Sequence, residues 1–174
     1  MIPDSIVLHH SATKDQKVRD WDAIKRFHTS WRFGGEIVNE EQAQFLITQG
    51  RKVEPPWNDI GYHYGIEWVE FQYIICPGRR ENVSGAHCSQ GGMNLHSLGI
   101  CFVGNFDLIS PPTGQWLKGV ELVASLCQKY SIPVSRIYGH RDFAPKTCPG
   151  KNFSLMTFCM DVVEILNPKK EEAV

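Results

Sequence analysis

Leu98-Gly99-Ile100-Cys101-Phe102-Val103-Gly104 is a continuous apolar run between turn residues, the pattern of a strand buried on both faces at the centre of a sheet. Working outward, Ser5 to His10 reads as a second short core strand, ending in the turn-like Ser11-Ala12-Thr13-Lys14-Asp15. Asn58 to Ile66 enters a third strand after a Gly-containing turn, and a fourth runs through Phe71, Tyr73 and Ile75 to the Pro77-Gly78 turn. Trp21, Ile24, Phe27 and His28 recur at helical spacing, which predicts a helix from Asp20, its N-cap, to Thr29. A long helix after Pro111-Pro112-Thr113 keeps Trp116, Val120, Val123, Cys127 and Tyr130 on one stripe. A last one, Ser154 to Leu166, does the same with Leu155, Phe158, Cys159, Val162 and Leu166, after which Lys169 to Val174 should fray. Strands interleaved with helices around a buried central strand imply an α/β sandwich with one sheet.

A chain of 174 residues is enough for one domain with a sizeable core and short for two. Residues 1–174 are therefore read as a single domain without repeat or linker. The 42% hydrophobic and 21% charged residues exclude a disordered or fibrous chain. Lys and Arg total 18 against 19 Asp and Glu, a formal charge of -1. No broad basic field is available to a polyphosphate backbone, so nucleic acid is not expected as a partner. Met1-Ile2-Pro3-Asp4-Ser5 lacks the basic and apolar regions of a secretory signal, and no stretch approaches the ~20 apolar residues that span a bilayer. Synthesis and initial residence in the cytoplasm are expected. Cysteines without regular spacing or an export signal are expected to be free thiols at Cys76, Cys88, Cys101, Cys127 and Cys159.

Chemistry concentrates in Gly139-His140-Arg141-Asp142-Phe143-Ala144-Pro145-Lys146-Thr147-Cys148-Pro149-Gly150. An imidazole, an ammonium and a thiol share this loop, which Pro145 and Pro149 keep from continuing as helix or central strand. Zinc takes neutral imidazole nitrogen and thiolate sulfur, and a catalytic zinc typically has three protein ligands and a fourth position for water. His140 and Cys148 supply two of the three. The third falls to the pair His9-His10, at the end of Ile6-Val7-Leu8. Alternation puts Val7 and His9 on one face of that strand and Ile6, Leu8 and His10 on the other. Because both faces are apolar before the histidines, the pattern does not say which histidine faces a site. Taken singly, a loop histidine more often bonds backbone, and a cysteine is more often a small buried hydrophobe. Lys146 between them favours the chemical reading.

Trp31 to Trp57 is the least regular stretch. Gly34-Gly35 opens it, Asn39-Glu40-Glu41 starts a helix through Phe45, Leu46 and Ile47, and Gly50 stops that helix. It reads equally as a surface excursion or as a wall of a substrate groove. Tyr62 offers a phenol that donates and accepts hydrogen bonds, and His63, next along a strand, should point the other way. Gly85 to Asn94 is a polar, Gly-rich loop suited to lining a cleft. Its neighbours His87 and Cys88 are poorly placed to bind one metal together and are not ligand candidates. His28 reads as a satisfied helix-end residue.

His9-His10-Ser11-Ala12-Thr13, Asp59-Ile60-Gly61-Tyr62-His63, Gly78-Arg79, Gly85-Ala86-His87, Asn94 with Ser97-Leu98-Gly99-Ile100, and Gly139 to Gly150 follow one another along most of the chain. In that order they resemble type 2 N-acetylmuramoyl-L-alanine amidases, a family that includes phage lysozyme-type amidases and peptidoglycan recognition proteins. The resemblance implies a mixed central sheet flanked by helices, with zinc in a surface groove. It implies His9, His140 and Cys148 as zinc ligands, with Tyr62 and Lys146 as catalytic residues beside the metal. The implied substrate is peptidoglycan or a muropeptide, cut between the lactyl group of N-acetylmuramic acid and L-alanine by a zinc-activated water. Lys146 would set positive charge against the oxyanion, and Tyr62 would orient the water or relay a proton to the leaving nitrogen. An endolysin-like wall hydrolase, acting on the cell wall after release from the cytoplasm, is the expected role.

Two features depart from the family pattern. The Arg32 to Trp57 excursion is longer than the connection in compact phage members. Cys101 stands where cytosolic recycling amidases carry a glutamate, and those enzymes usually have aspartate in place of Cys148, which argues against the recycling branch. A non-catalytic peptidoglycan-recognition module is the alternative from another class, disfavoured because the chain keeps Cys148 with the other four residues. A zinc-free cysteine hydrolase using Cys148 with His140 is a third reading.

Overall fold

The computed structural model describes residues 1–13 and 20–168. The expected turn at Lys14-Asp15, the capping side chain of Asp20 and the fraying of 169–174 fall outside those residues. The apolar run becomes β6 (Ser97–Phe102), buried at every position. It ends at Phe102, and Gly104, at φ 153, turns the chain away. Two parallel neighbours flank it, β1 (Ser5–His10) and β4 (Tyr64–Val69). Outside β1 lies the short parallel β7 (Ile137–Gly139), and outside β4 the antiparallel β5 (Gln72–Pro77). The sheet is therefore mixed, in the order β5-β4-β6-β1-β7. Phe71, expected inside the fourth strand, instead forms the β4–β5 turn with Glu70, at φ 69 and 47. Positive φ at both central residues is the backbone of a type I′ two-residue hairpin turn, and Phe71 is left 92% exposed.

One face of the sheet buries Ile6, Leu8, Ile66, Leu98, Ile100 and Phe102 against α3 (Thr113–Tyr130) and α4 (Leu155–Leu166). The expected stripe holds: Val120, Val123 and Cys127 are buried in α3, with Trp116 and Tyr130 packed at its margin. Ser154 caps α4 by accepting from the Thr157 amide, and the helix buries Phe158 and Val162 completely. Each large apolar side chain so placed contributes about 1.5–3 kcal/mol. The opposite face carries α1 (Asp20–His28), whose Trp21 packs with Ile60, Cys76, Cys101 and Val103. Val7 and His9 emerge on this second face, and Ile6, Leu8 and His10 on the first.

The irregular stretch has its own small structure. Gly34 and Gly35, at φ 62 and 87, turn β2 (Trp31–Phe33) into β3 (Glu36–Val38), a conformation that costs glycine nothing sterically. α2 (Glu40–Thr48) follows, and Asn39 and Gln42 form a reciprocal capping box at its start. Only Ala43 of α2 is buried. What ties the excursion down is Arg32, itself buried: Nη1 donates to the carbonyls of Phe27 and His28, both at 3.1 Å, and Nη2 to Pro55 at 3.4 Å. Its guanidinium lies 4.8 Å from the Trp57 ring centre and 5.2 Å from that of Phe27. A cation at the carbonyl end of α1 complements the helix dipole. Every cysteine is a free thiol.

Candidate metal centre

Parallel pairing sets His9 opposite Cys101 and His10 opposite Phe102, so both histidines sit at the carboxyl end of the central strands, where ligand sites of α/β sheets gather. Their side chains then separate. His10 turns into the first face, where Nδ1 accepts from the Phe106 amide at 3.1 Å. His9 turns to the second face, its ring centre 4.7 Å from that of His140. His140 opens a 3-10 turn directly after β7, and the chain then loops back to deliver Cys148. Backbone and side chains brace that loop: Arg141 N donates to Cys148 O at 2.7 Å, and the Arg141 guanidinium donates to Gly150 and Phe153 carbonyls at 2.9 and 3.0 Å. Asp142 accepts from the Gly139 amide, and Asp107 accepts from the Thr147 hydroxyl and the Lys151 amide.

The result is a buried trio. One ligand atom from each of His9, His140 and Cys148 lies within 4.8 Å of the other two, and His9 Nδ1 stands 3.7 Å from Cys148 Sγ. The sulfur also accepts from the His10 amide at 3.4 Å. Burial, helped by the neighbouring His87, His140 and Lys146, holds His9 far below the usual imidazole range, and burial with Lys146 brings His140 to about 4. Both imidazoles are neutral at physiological pH, as metal ligands must be. The buried Nε2 of His140 has no hydrogen-bond partner among the described residues, although an imidazole nitrogen buried without one is costly. Two neutral imidazoles and a sulfur are a donor set that suits zinc. Burial pushes the Cys148 thiol up to about 11, so without a cation beside it the group is a thiol and not a nucleophilic thiolate. That argues against the cysteine-hydrolase reading.

Tyr62 lies just before β4, its ring centre 5.1 Å from that of His9. Burial, with Cys101 and Cys148 close by, raises its pKa well above 10.0, so the phenol keeps its proton. Lys146 is exposed on the loop between His140 and Cys148, and its charge lowers the pKa of both histidines. Beside Tyr62 opens a groove of about 340 Å³ lined by Ser11, Thr13, Ile24, Phe27 and His28, among others. No residue of 32–57 lines it among the described residues; the wall is α1, and the excursion supports α1 from behind. His28 is more than a satisfied helix end: Nδ1 accepts from Gly61 N at 3.1 Å while the ring packs on Trp57 at 4.6 Å and faces Tyr62 at 5.7 Å.

His87, no ligand candidate from the sequence, stands behind His9, with Nδ1 3.1 Å from His9 Nε2. It is buried among the other histidines, and burial lowers its pKa to about 3. A signal for it exists in Gly99, because glycine inside an apolar strand often marks a close approach. A Cβ on Gly99 would meet the His87 ring at 2.4 Å.

A mixed sheet with a two-imidazole, one-thiol cluster at the carboxyl end of its parallel strands makes a site that could hold a metal ion, and the comparisons with known proteins give the chain a family. The family model for N-acetylmuramoyl-L-alanine amidase (Amidase_2) matches residues 1–151, and the chain belongs to that family. It is 34% identical over 100 residues to peptidoglycan-recognition protein LB of Drosophila melanogaster, covering 57% of this chain and 41% of that protein. It is 35% identical over 103 residues to the endolysin of Enterobacteria phage T3, covering 55% of this chain and 62% of the endolysin. The matched stretch thus spans about half the length of these curated relatives. Among solved structures, N-acetylmuramoyl-L-alanine amidase LysC from Clostridium intestinale URNW has the same fold, with a TM-score of 0.63, 23% identity, and coverage of 93% of this chain and 86% of LysC. Helix α4 lies beyond the family match, yet Phe158 and Val162 complete the core.

Proposed function

We propose that the chain is a zinc-dependent N-acetylmuramoyl-L-alanine amidase that hydrolyses the amide between the lactyl group of N-acetylmuramic acid and L-alanine in peptidoglycan. Membership of the family supports the reaction class; the observation that carries the finer reading is the His9–His140–Cys148 cluster beside Tyr62. When bound by these three residues, zinc would supply a water acidified towards neutral pH and would polarise the scissile carbonyl.

The chain's own residues then divide the remaining work. The α1 groove holds the substrate against the cluster, with Phe27 and Ile24 offering apolar surface and Ser11 and Thr13 hydroxyls. Tyr62, protonated, donates a hydrogen bond to the carbonyl oxygen as negative charge develops on it, or passes its proton towards the alanine nitrogen. Lys146 swings its ammonium from the loop to the same oxygen. The carbon–nitrogen bond breaks, a water hydroxyl goes to the lactyl carbon and the water's protons are shared between the new carboxyl and amine ends. The domain 1–174 acts as one unit in this reading, in the role of an endolysin-like wall hydrolase that meets its substrate after leaving the cytoplasm.

The test is release of free N-terminal alanine from purified peptidoglycan by zinc-loaded protein, chelated protein and Cys148→Ala. Release by the zinc-loaded wild type alone is expected. A zinc-loaded wild type that binds muropeptide and releases no alanine would overturn the enzymatic reading in favour of a recognition module.

A further inference from the structure

His87 makes two hydrogen-bonding contacts through its ring. Nε2 faces the Ser97 carbonyl at 3.4 Å, and Nδ1 faces His9 Nε2 at 3.1 Å. A carbonyl oxygen only accepts, so the ring proton of neutral His87 sits on Nε2 and leaves Nδ1 a bare lone pair. That lone pair requires a donor, and His9 Nε2 must carry the proton it accepts. The only nitrogen of His9 then left with a lone pair is Nδ1, the atom that stands 3.7 Å from Cys148 Sγ in the cluster.

The position of His87 is itself held firmly. Asn94 Oδ1 accepts from the His87 and Cys88 amides at 2.8 and 2.7 Å, and Asn94 exchanges backbone hydrogen bonds with Gly85 and Cys88, each at 2.9 Å. The ring fills a slot between two glycines: a Cβ on Gly85 or on Gly99 would each meet it at 2.4 Å. A histidine donating its second ring nitrogen to a fixed acceptor is the usual support of a metal ligand, and it sets both tautomer and ring angle. Here the acceptor is a second imidazole, in place of the more common carboxylate or carbonyl.

We infer that His87 is a positioning residue of the metal centre, a tautomer lock that relays the Ser97 carbonyl through two imidazoles so that His9 presents a bare Nδ1 to the metal. The inference rests on the zinc reading of the cluster, so the test reads metal binding and proton placement separately from turnover. Zinc affinity is measured by competition with a chromogenic chelator for the wild type, His87→Phe, which keeps a ring without an acceptor, and His87→Asn, whose Oδ1 takes the place of Nδ1. The thermal unfolding of each metal-free protein and the long-range ¹H–¹⁵N spectrum of zinc-loaded wild type are recorded alongside.

The expected result is binding roughly 10–100-fold weaker in His87→Phe, most of it recovered in His87→Asn, and His9 protonated at Nε2 alone. A folded His87→Phe that binds zinc as tightly as the wild type would overturn the inference. So would a His9 protonated at Nδ1, an observation that does not depend on any variant folding. A wild type that binds no zinc would remove the metal reading and this inference together, whereas a wild type that binds zinc yet releases no alanine from peptidoglycan would strike only the catalytic reading.

Discussion

Tyr62 keeps its proton because burial and two nearby thiols penalise the phenolate. In the proposed reaction its contribution at neutral pH would be that of a donor, and a phenylalanine at 62 removes only the donor. Tyr62→Phe is expected to lower kcat by about 10²-fold or more while zinc content stays that of the wild type, checked by steady-state rates on a muropeptide with metal analysis of the same sample. Intact turnover in that variant would remove Tyr62 from the chemistry. At this scale much was readable in advance. His140, Lys146 and Cys148 share one loop, and spacing alone brings them together. His9 could not be told from His10, because β1 is buried at all six positions and alternation has no sign when neither face meets water. His87 was harder to read: its one sequence sign was Gly99, and its partners, His9 and Ser97, lie on separate strands, β1 and β6, that only the fold brings side by side.

Helix α2 is held only lightly by the core. It buries one side chain, Ala43, and leaves Phe45 64% exposed, so its stability leans on its cap. Asn39→Ala removes the side chain that accepts from the Gln42 amide and is expected to cost about 1 kcal/mol. Because few apolar contacts link α2 to the sheet, the loss should be local: hydrogen exchange would quicken across 40–48 and leave β1 and β6 unchanged. Equal acceleration everywhere would show that the excursion unfolds with the core. The helix was legible from its Asn-Glu-Glu start and Gly50 stop. The hairpin before it was not, since its strands are three residues each, too short for alternation to register. The β4–β5 turn was hidden differently: Glu70 and Phe71 carry positive φ without being glycine, and no residue type announces that.

At the scale of the whole molecule, Glu81 ties the sheet to α3: it accepts from Tyr64 of β4 and from Lys129 and Tyr130 at the end of α3. Burial alone would raise its pKa, but these three partners outweigh that and hold it below the usual carboxylate range. A carboxylate depressed on folding stabilises the native state above its unfolded value, about 4.3, and the benefit is lost as pH falls through the lower folded value. Denaturant midpoints are therefore expected to fall below about pH 4.3, with a shallower fall in Glu81→Gln; the same slope in both proteins would assign the acid sensitivity elsewhere. The overall architecture was the most legible level of all, because one doubly buried strand and two single-stripe helices leave few ways to assemble a sheet. That the sheet is mixed came from family resemblance, as strand direction leaves little trace in composition; that its antiparallel strand is the edge strand β5 is seen only in the structure.

His9 and Cys148 are 139 residues apart along the chain, and that separation makes the cluster a clasp as well as a site. An ion held there would tie the first strand to the loop before α4 and bind only the folded form, so mass action would draw the folding equilibrium with it. At a free zinc concentration 100-fold above Kd the gain is about 2.7 kcal/mol, a rise in Tm of about 5–10 °C. The rise should vanish in Cys148→Ala; its persistence there would place the ion elsewhere. If the cluster holds zinc as proposed, the melting temperature of this protein would be a gauge of the metal around it, and scarcity of zinc would be felt as a larger unfolded fraction.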